Sequence, residues 1–184
     1  MEVAREFFTE HGYAGTSIDD IIQRAGVARG ALYHHFAGKE ALFRAVYETV
    51  EGEVVARVMA AAASKASPWD AVRAGLSAFL DACLEPAFRR IVILDSVAVL
   101  QSEVLEVGID PVELPMLRTV LTPLLGTTAF GGIAIEGLTY VALGGLYGGS
   151  LYIARASDPR AARAEVDVVL DTLISGLLRG ATPE

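Results

Sequence analysis

Apolar residues recur three and four positions apart along almost the whole chain, and each run closes on glycine or proline. That period belongs to amphipathic helices; strands would alternate. Residues 2–11 put Val3, Ala4, Phe7 and Phe8 on one face, and Gly12 comes next as a left-handed terminator. Thr16 and Ser17 open a second helix, each with an acid three residues on, as in a capping box. Its inward residues are Ile18, Ile21, Ile22 and Ala25, and Gly26 stops it. A short third helix over about 28–35 offers Ala31, Leu32 and Phe36 to the core. A long fourth, about 39–63, carries the seam Leu42, Phe43, Val46, Tyr47, Val50, Val54, Val58 and Met59.

The second part of the chain keeps the same period. Pro68 begins a fifth helix with Trp69, Val72, Leu76, Phe79, Leu80 and Cys83 on its buried side. Pro86 breaks it, and a sixth helix spans about 87–100. Gly108, Pro111 and Pro115 interrupt the stretch from 101 to 125; a helix resumes near Pro115 and ends before Gly126, and 126–132 reads as a loop. Two long helices close the chain, about 133–156 and 159–179, the last opening on Asp158-Pro159. The expectation is an all-α protein of about nine helices. Near residue 47 short, tightly punctuated helices give way to long apolar ones, so we divide the chain into 1–47 and 48–184.

Composition narrows the class. With 53% apolar residues among 184, the chain is too hydrophobic for disorder and has ample material for a core. Its one cysteine, Cys83, excludes an internal disulfide framework and any CxxC metal site. This favours a reducing compartment, and the acidic, amphipathic opening MEVAREFF is no export signal; the expected location is the cytoplasm. The net charge of −8 argues weakly against nucleic acid, but whole-chain charge says little about one local face. Residues 133–154 carry Glu136 as their only charge and would make about 33 Å of helix, enough to cross a bilayer. Five glycines and the absence of flanking Lys/Arg clusters or tryptophans read instead as a buried helix, with no membrane partner.

Function concentrates in residues 12–42, GYAGTSIDDIIQRAGVARGALYHHFAGKEAL. Two short helices joined by a turn at Gly26 match a helix-turn-helix plan, with Ala25 at the crossing and Ile22, Val27 and Leu32 filling the wedge. The outward face of the third helix, Arg29, Gly30, Tyr33 and His34, is then free to enter a major groove about 12 Å wide. Glycine in a helix costs about 1 kcal/mol, so Gly30 implies a local reason such as close approach to a nucleic acid.

The run GVARGALYHHFAGKEAL resembles the signature of the TetR family of bacterial transcriptional regulators. Gly26, Val27, Gly30, Leu32, Tyr33, His35, Phe36, Lys39, Glu40 and Leu42 match its pattern, as do Gly12, Tyr13, Thr16 and Ser17 upstream. The resemblance covers about a quarter of the chain; the rest is similar in plan. It implies that Thr16 and Ser17 cap the second helix and offer a hydroxyl and amides to a phosphate. It makes Arg29, Gly30, Tyr33 and His34 the recognition surface, and Lys39 a phosphate contact at the start of the fourth helix. Two departures stand out. Ala28 replaces the usual capping serine, and the chain begins later than family members normally do. Residues 1–48 hold five Lys/Arg against seven Asp/Glu. A truncated start or a weaker binder both fit.

The resemblance also implies a small-molecule effector cavity in the larger part. Its candidate lining is Met59, Phe79, Cys83, Phe88, Met116, Leu121, Tyr140 and Tyr147, which suits a modest, largely apolar ligand, with Asp95 and Glu136 the nearest acids. Each of these residues has ordinary core packing as its plainer reading, Cys83 above all. Val166, Val169, Leu170, Leu173, Ile174, Leu177 and Leu178 form one stripe on the last helix. Gly144 with Gly148, and Gly145 with Gly149, form small pairs on the helix before it. These two faces read as a homodimer interface that sets two recognition helices roughly 34 Å or a little more apart. His34 and His35 diverge by about 100° on a helix and do not share a metal, so no metal or cofactor is expected. No Ser-His-Asp arrangement or GxGxxG run points to an enzyme. The reading is a DNA-binding repressor released from its operator by an apolar effector. A helical ligand-binding protein with impaired or lost DNA binding, and a membrane-associated protein, are the alternatives.

Overall fold

Gly26 and Gly38 divide the first third of the molecule where the sequence places its breaks. A computed structural model describes residues 1–100, 118 and 135–180, with side chains over 136–176 in the last segment. It begins with α1 (Glu2–Gly15), α2 (Ile18–Ala25), α3 (Arg29–His35) and α4 (Lys39–Ala63). Ser17 caps α2 by accepting the Asp19 N–H at 3.1 Å, and Gly26 ends it in the left-handed conformation (φ 66°, ψ 27°). Ala28 stands at the start of α3 without a side-chain cap bond.

Two details depart from the expected pattern. α1 does not stop at Gly12; it bends there (φ 69°, ψ 176°) and resumes to Gly15. The wedge under α3 is also thinner than expected. Leu32 is buried and Ile22 half-buried, but Val27 is 43% exposed and Ala25 and Ala31 face solvent. Helices of eight and seven residues are too short to cover both faces of the turn.

The core runs along α4. Leu42, Phe43, Val46, Val50 and Val54 are buried on one seam, and Tyr47 and Val58 are half-buried beside it. Met59, placed on that seam by periodicity, is 45% exposed, because the seam rotates away as α4 approaches its end. α5 (Pro68–Ala82) begins with Ser67 capping the Asp70 N–H and packs on α4. Gly75 is the close point, facing Val58 and Ala62.

The expected sixth helix is present but differently wound. Phe88–Asp95 is π-helical and passes into the short α6 (Ser96–Val99). Phe88, Ile91 and Ile93 are buried on it, and it touches α1, α4 and the penultimate helix together. An eight-residue stretch is too short for apolar spacing to separate a π-helix from an α-helix. The helix expected near Pro115 and the loop 126–132 lie outside the described residues. α7 (Ile135–Arg155) and α8 (Pro159–Gly180) close the molecule; Asp158 Oδ1 accepts the Arg160 and Ala161 N–H groups at 3.1 Å. There is no strand among the described residues, and the architecture is all-α. No helix among them is long and apolar enough to cross a membrane.

Phe43 packs edge-on to both Phe8 and Tyr13, with ring centroids 5.1 Å apart in each case. Replacing it with alanine removes the joint between α1 and α4. Phe43→Ala should lower unfolding stability by about 3–5 kcal/mol, read by urea denaturation.

Candidate nucleic-acid interface

One exposed face gathers most of the predicted contact residues. Arg29, Gly30, Tyr33 and His34 are all exposed on α3, with Tyr33 at 46%. A Cβ at Gly30 would meet nothing within 4 Å, so a ligand can approach the backbone of α3 there. His35, a residue of the motif match, is exposed too; its ring lies 5.4 Å from that of His34, edge to face. A seven-residue helix with one buried anchor, Leu32, has no room to bury a ring as well.

Thr16 and Ser17 separate. Ser17 is exposed at the start of α2, but Thr16 is buried. Thr16 Oγ1 donates to Gly12 O at 2.7 Å and lies 3.1 Å from Phe7 O. Its hydroxyl closes the bend in α1 and is not offered to a phosphate. The motif pattern showed a Thr-Ser pair and had no means of saying which one turns inward.

Lys39 stands at the first position of α4, half-buried, its Nζ 4.4 Å from the centre of the Tyr13 ring. This cation–π contact holds the ammonium in one place. Tyr13 is a motif residue to which sequence reasoning assigned no role. Burial pushes its phenol above the ordinary range, and the Glu40 carboxylate adds to the effect. The face also carries acid: Asp19 of α2 is ion-paired with Arg29, both well exposed. Ten residues separate the two, a spacing with no local signature.

The predicted effector wall is less coherent. Phe88 and Cys83 are buried, and Phe79 is half-buried with its ring 6.0 Å from that of Phe88, edge-on. Met59, Tyr140 and Tyr147 are exposed and do not join them. α7 is apolar around most of its circumference, so its sequence does not fix which side its tyrosines occupy. Met116 and Leu121 lie outside the described residues. Two open clefts, of about 400 Å³ beside Leu151, Tyr152 and Arg155 and about 390 Å³ beside Leu84, Arg89 and Arg160, do not have Phe79, Cys83 or Phe88 in their linings. Asp95, expected near a cavity, turns instead to α1.

Comparison with known proteins agrees with this geometry. The profile of "Bacterial regulatory proteins, tetR family" matches residues 1–46, and that of "Tetracyclin repressor-like, C-terminal domain" matches 69–177. The chain belongs to the TetR family. It is 30% identical to a TetR-family transcriptional regulator from Pectobacterium atrosepticum, with TM-score 0.80, covering 100% of this chain and 92% of that one. It is 46% identical over 46 residues to the HTH-type transcriptional repressor AcnR of Corynebacterium efficiens, 25% of this chain and 24% of the relative. It is 42% identical over 57 residues to the A-factor receptor protein of Streptomyces griseus, 29% of this chain and 21% of the relative. The matches thus span about a quarter of the length of these two curated relatives. In this TetR-family chain the matched start coincides with the exposed α2–α3 face and the α4 start.

Cys83 is a core residue in this fold. Burial pushes its thiol up to about 12. The folded state therefore holds the proton more tightly than the unfolded chain, and the stability that this contributes is complete below about pH 9. It is lost as pH rises toward about 12. Ellman's reagent at pH 8 should leave the native thiol unmodified and titrate it fully in urea.

Proposed function

We propose that this TetR-family chain is a DNA-binding transcriptional repressor, acting as a homodimer and released from its operator by a small effector. The observation that carries the reading is the exposed α3 face. Arg29, Gly30, Tyr33 and His34 stand together on it, with Lys39 and Ser17 at its edges. In this arrangement Tyr33 and Lys39 meet phosphate or sugar, and Arg29 or His34 reaches a base edge. Gly30 lets the α3 backbone come close to the duplex. Lys39 works where the first-turn N–H groups of α4 add a positive dipole end. Arg29 must leave Asp19 to reach a base, which favours sequences whose contacts outweigh that exchange.

The apolar face of α7 and α8 fits a second copy. Val141 is 73% and Leu173 59% exposed, and Tyr140, Tyr152, Val168 and Val169 are exposed with them. Gly144, Gly145 and Gly148 have open space where a Cβ would stand, so another helix can approach. Gly149 is already used inside the chain, facing Val166 of α8 at 3.1 Å from a would-be Cβ, so the glycine pairs divide between two jobs. The effector reading rests on the paired Phe79 and Phe88 rings beside buried Cys83, an apolar group suited to an apolar ligand. A coupling of about 1–3 kcal/mol between ligand and DNA sites would change operator affinity 5–150-fold.

The test is a fluorescence-anisotropy titration with the DNA flanking the protein's own gene, in excess competitor, at several salt concentrations. Wild type should bind in a salt-sensitive manner. Lys39→Ala should weaken binding and reduce the slope of log K against log salt by about one. Salt-insensitive or fully competed binding would refute the DNA role and leave a ligand-binding helical protein. For the dimer, Leu173→Arg should move the species seen by light scattering from twice the chain mass toward one chain mass. The same change should weaken binding to a two-half-site operator far more than binding to an isolated half-site.

A further inference from the structure

The bend at Gly12 is held from outside α1. Just past it the Tyr13 N–H donates to Asp95 Oδ2 at 2.7 Å, across 82 positions of sequence. Arg90 Nε donates to that same oxygen at 3.2 Å. The Arg90 guanidinium lies against Gly12 itself, where any Cβ would collide with it. A break in a helix leaves N–H groups without their usual carbonyl partners, and here a carboxylate supplies one. Thr16 closes the bend from within.

The winding of the Phe88–Asp95 segment makes this possible. Arg90 and Asp95 are five apart, and in an α-helix they would diverge by about 140°. A π-helix pairs positions i and i+5, which brings both side chains onto the face turned to α1. The same segment carries Phe88, packed against Phe79. Tyr13, whose amide Asp95 holds, in turn carries Lys39 on its ring. A continuous set of contacts therefore runs from the Phe79–Phe88 pair to Lys39, through α1 rather than along α4.

We propose that Asp95 and Arg90, brought together by the π-helical winding of 88–95, form a latch on the Gly12 bend that positions Tyr13 and Lys39 for DNA. The inference rests on the DNA-binding reading above. Asp95 and Arg90 are positioning residues: neither touches DNA. Rewinding of the segment toward α-helical geometry separates the two and releases the amide, so an event at Phe88 reaches the DNA face without a tilt of α4.

The experiment compares wild type, Asp95→Ala, Asp95→Asn and Arg90→Ala, each alone and with Lys39→Ala. It uses amide hydrogen exchange over residues 12–16 and DNA anisotropy at several salt concentrations. Asp95→Ala should lose exchange protection there, bind DNA about tenfold more weakly and show a smaller salt slope. Asp95→Asn, which keeps a carbonyl to accept the Tyr13 N–H, should recover most of both. In the Lys39→Ala background Asp95→Ala should add little, whereas general destabilisation would add its full effect. If circular dichroism shows Asp95→Ala unfolded, Arg90→Ala decides by the same criteria. Wild-type exchange in the variants removes the latch. Lost protection with unaltered DNA affinity, or an additive double variant, overturns the positioning role. Absence of DNA binding by wild type defeats the regulator reading and the positioning role together, while exchange still reports separately whether the latch exists.

Discussion

The contact on which the DNA-facing end depends is the aromatic joint of Phe8, Tyr13 and Phe43. α2 and α3 are eight and seven residues long, and their buried side chains are Ile21 and Leu32 alone. Helices so short are marginal by themselves. They are held because α1 is seated on α4, through edge-on rings at 5.1 Å from Phe43, while α2 packs on α1 and α3 on α2. The ring of Tyr13 serves twice, packing against Phe43 on one side and holding Lys39 at 4.4 Å on the other. Core packing and the placement of a surface cation are therefore one structural fact here.

α4 carries that joint into the larger part without interruption. Its seam packs against α5, where Gly75 lets the helices draw together, and ion pairs tie the outer helices. Arg73 Nε meets Asp171 Oδ1 at 2.8 Å, and Arg163 Nε meets Asp81 Oδ1 at 3.1 Å, both between α5 and α8. Exposed pairs of this kind add little energy each. Their value lies in orienting α8, whose other face remains apolar and uncovered. The acidic net charge does not conflict with the proposed DNA contact, because phosphate contact depends on a few placed cations. The exposed Asp19–Arg29 pair offsets part of the positive charge on that face.

Much of this was legible in the residues. The helix starts at Ser17, Pro68 and Asp158, the turn at Gly26 and the seam of α4 follow from capping chemistry and a 3.6-residue period. So does the α3 face in part, because a helix with Leu32 inward turns Tyr33 and His34 outward, whereas Arg29, three before Leu32, is exposed as the first residue of the helix. Period is a poorer guide where a helix is apolar on both sides. It placed Met59 on the seam of α4, where the residue is exposed, and it could not say which side of α7 carries Tyr140 and Tyr147.

Local chemistry, then, was enough to specify most helix starts and stops and the exposed α3 face, since each depends on residues within one or two turns, but not the end of α1 or the winding of 88–95. Only the tertiary structure decided which of Thr16 and Ser17 turns inward, that Asp95 serves the bend of α1, and that Arg29 is paired with Asp19. Two of those outcomes join positions ten and eighty-two residues apart, the second through the winding of a single π-helical segment, and the Thr16 bonds hang on a bend within α1. Neither a long-range hydrogen bond nor a change of helical register leaves a periodic trace in the chain.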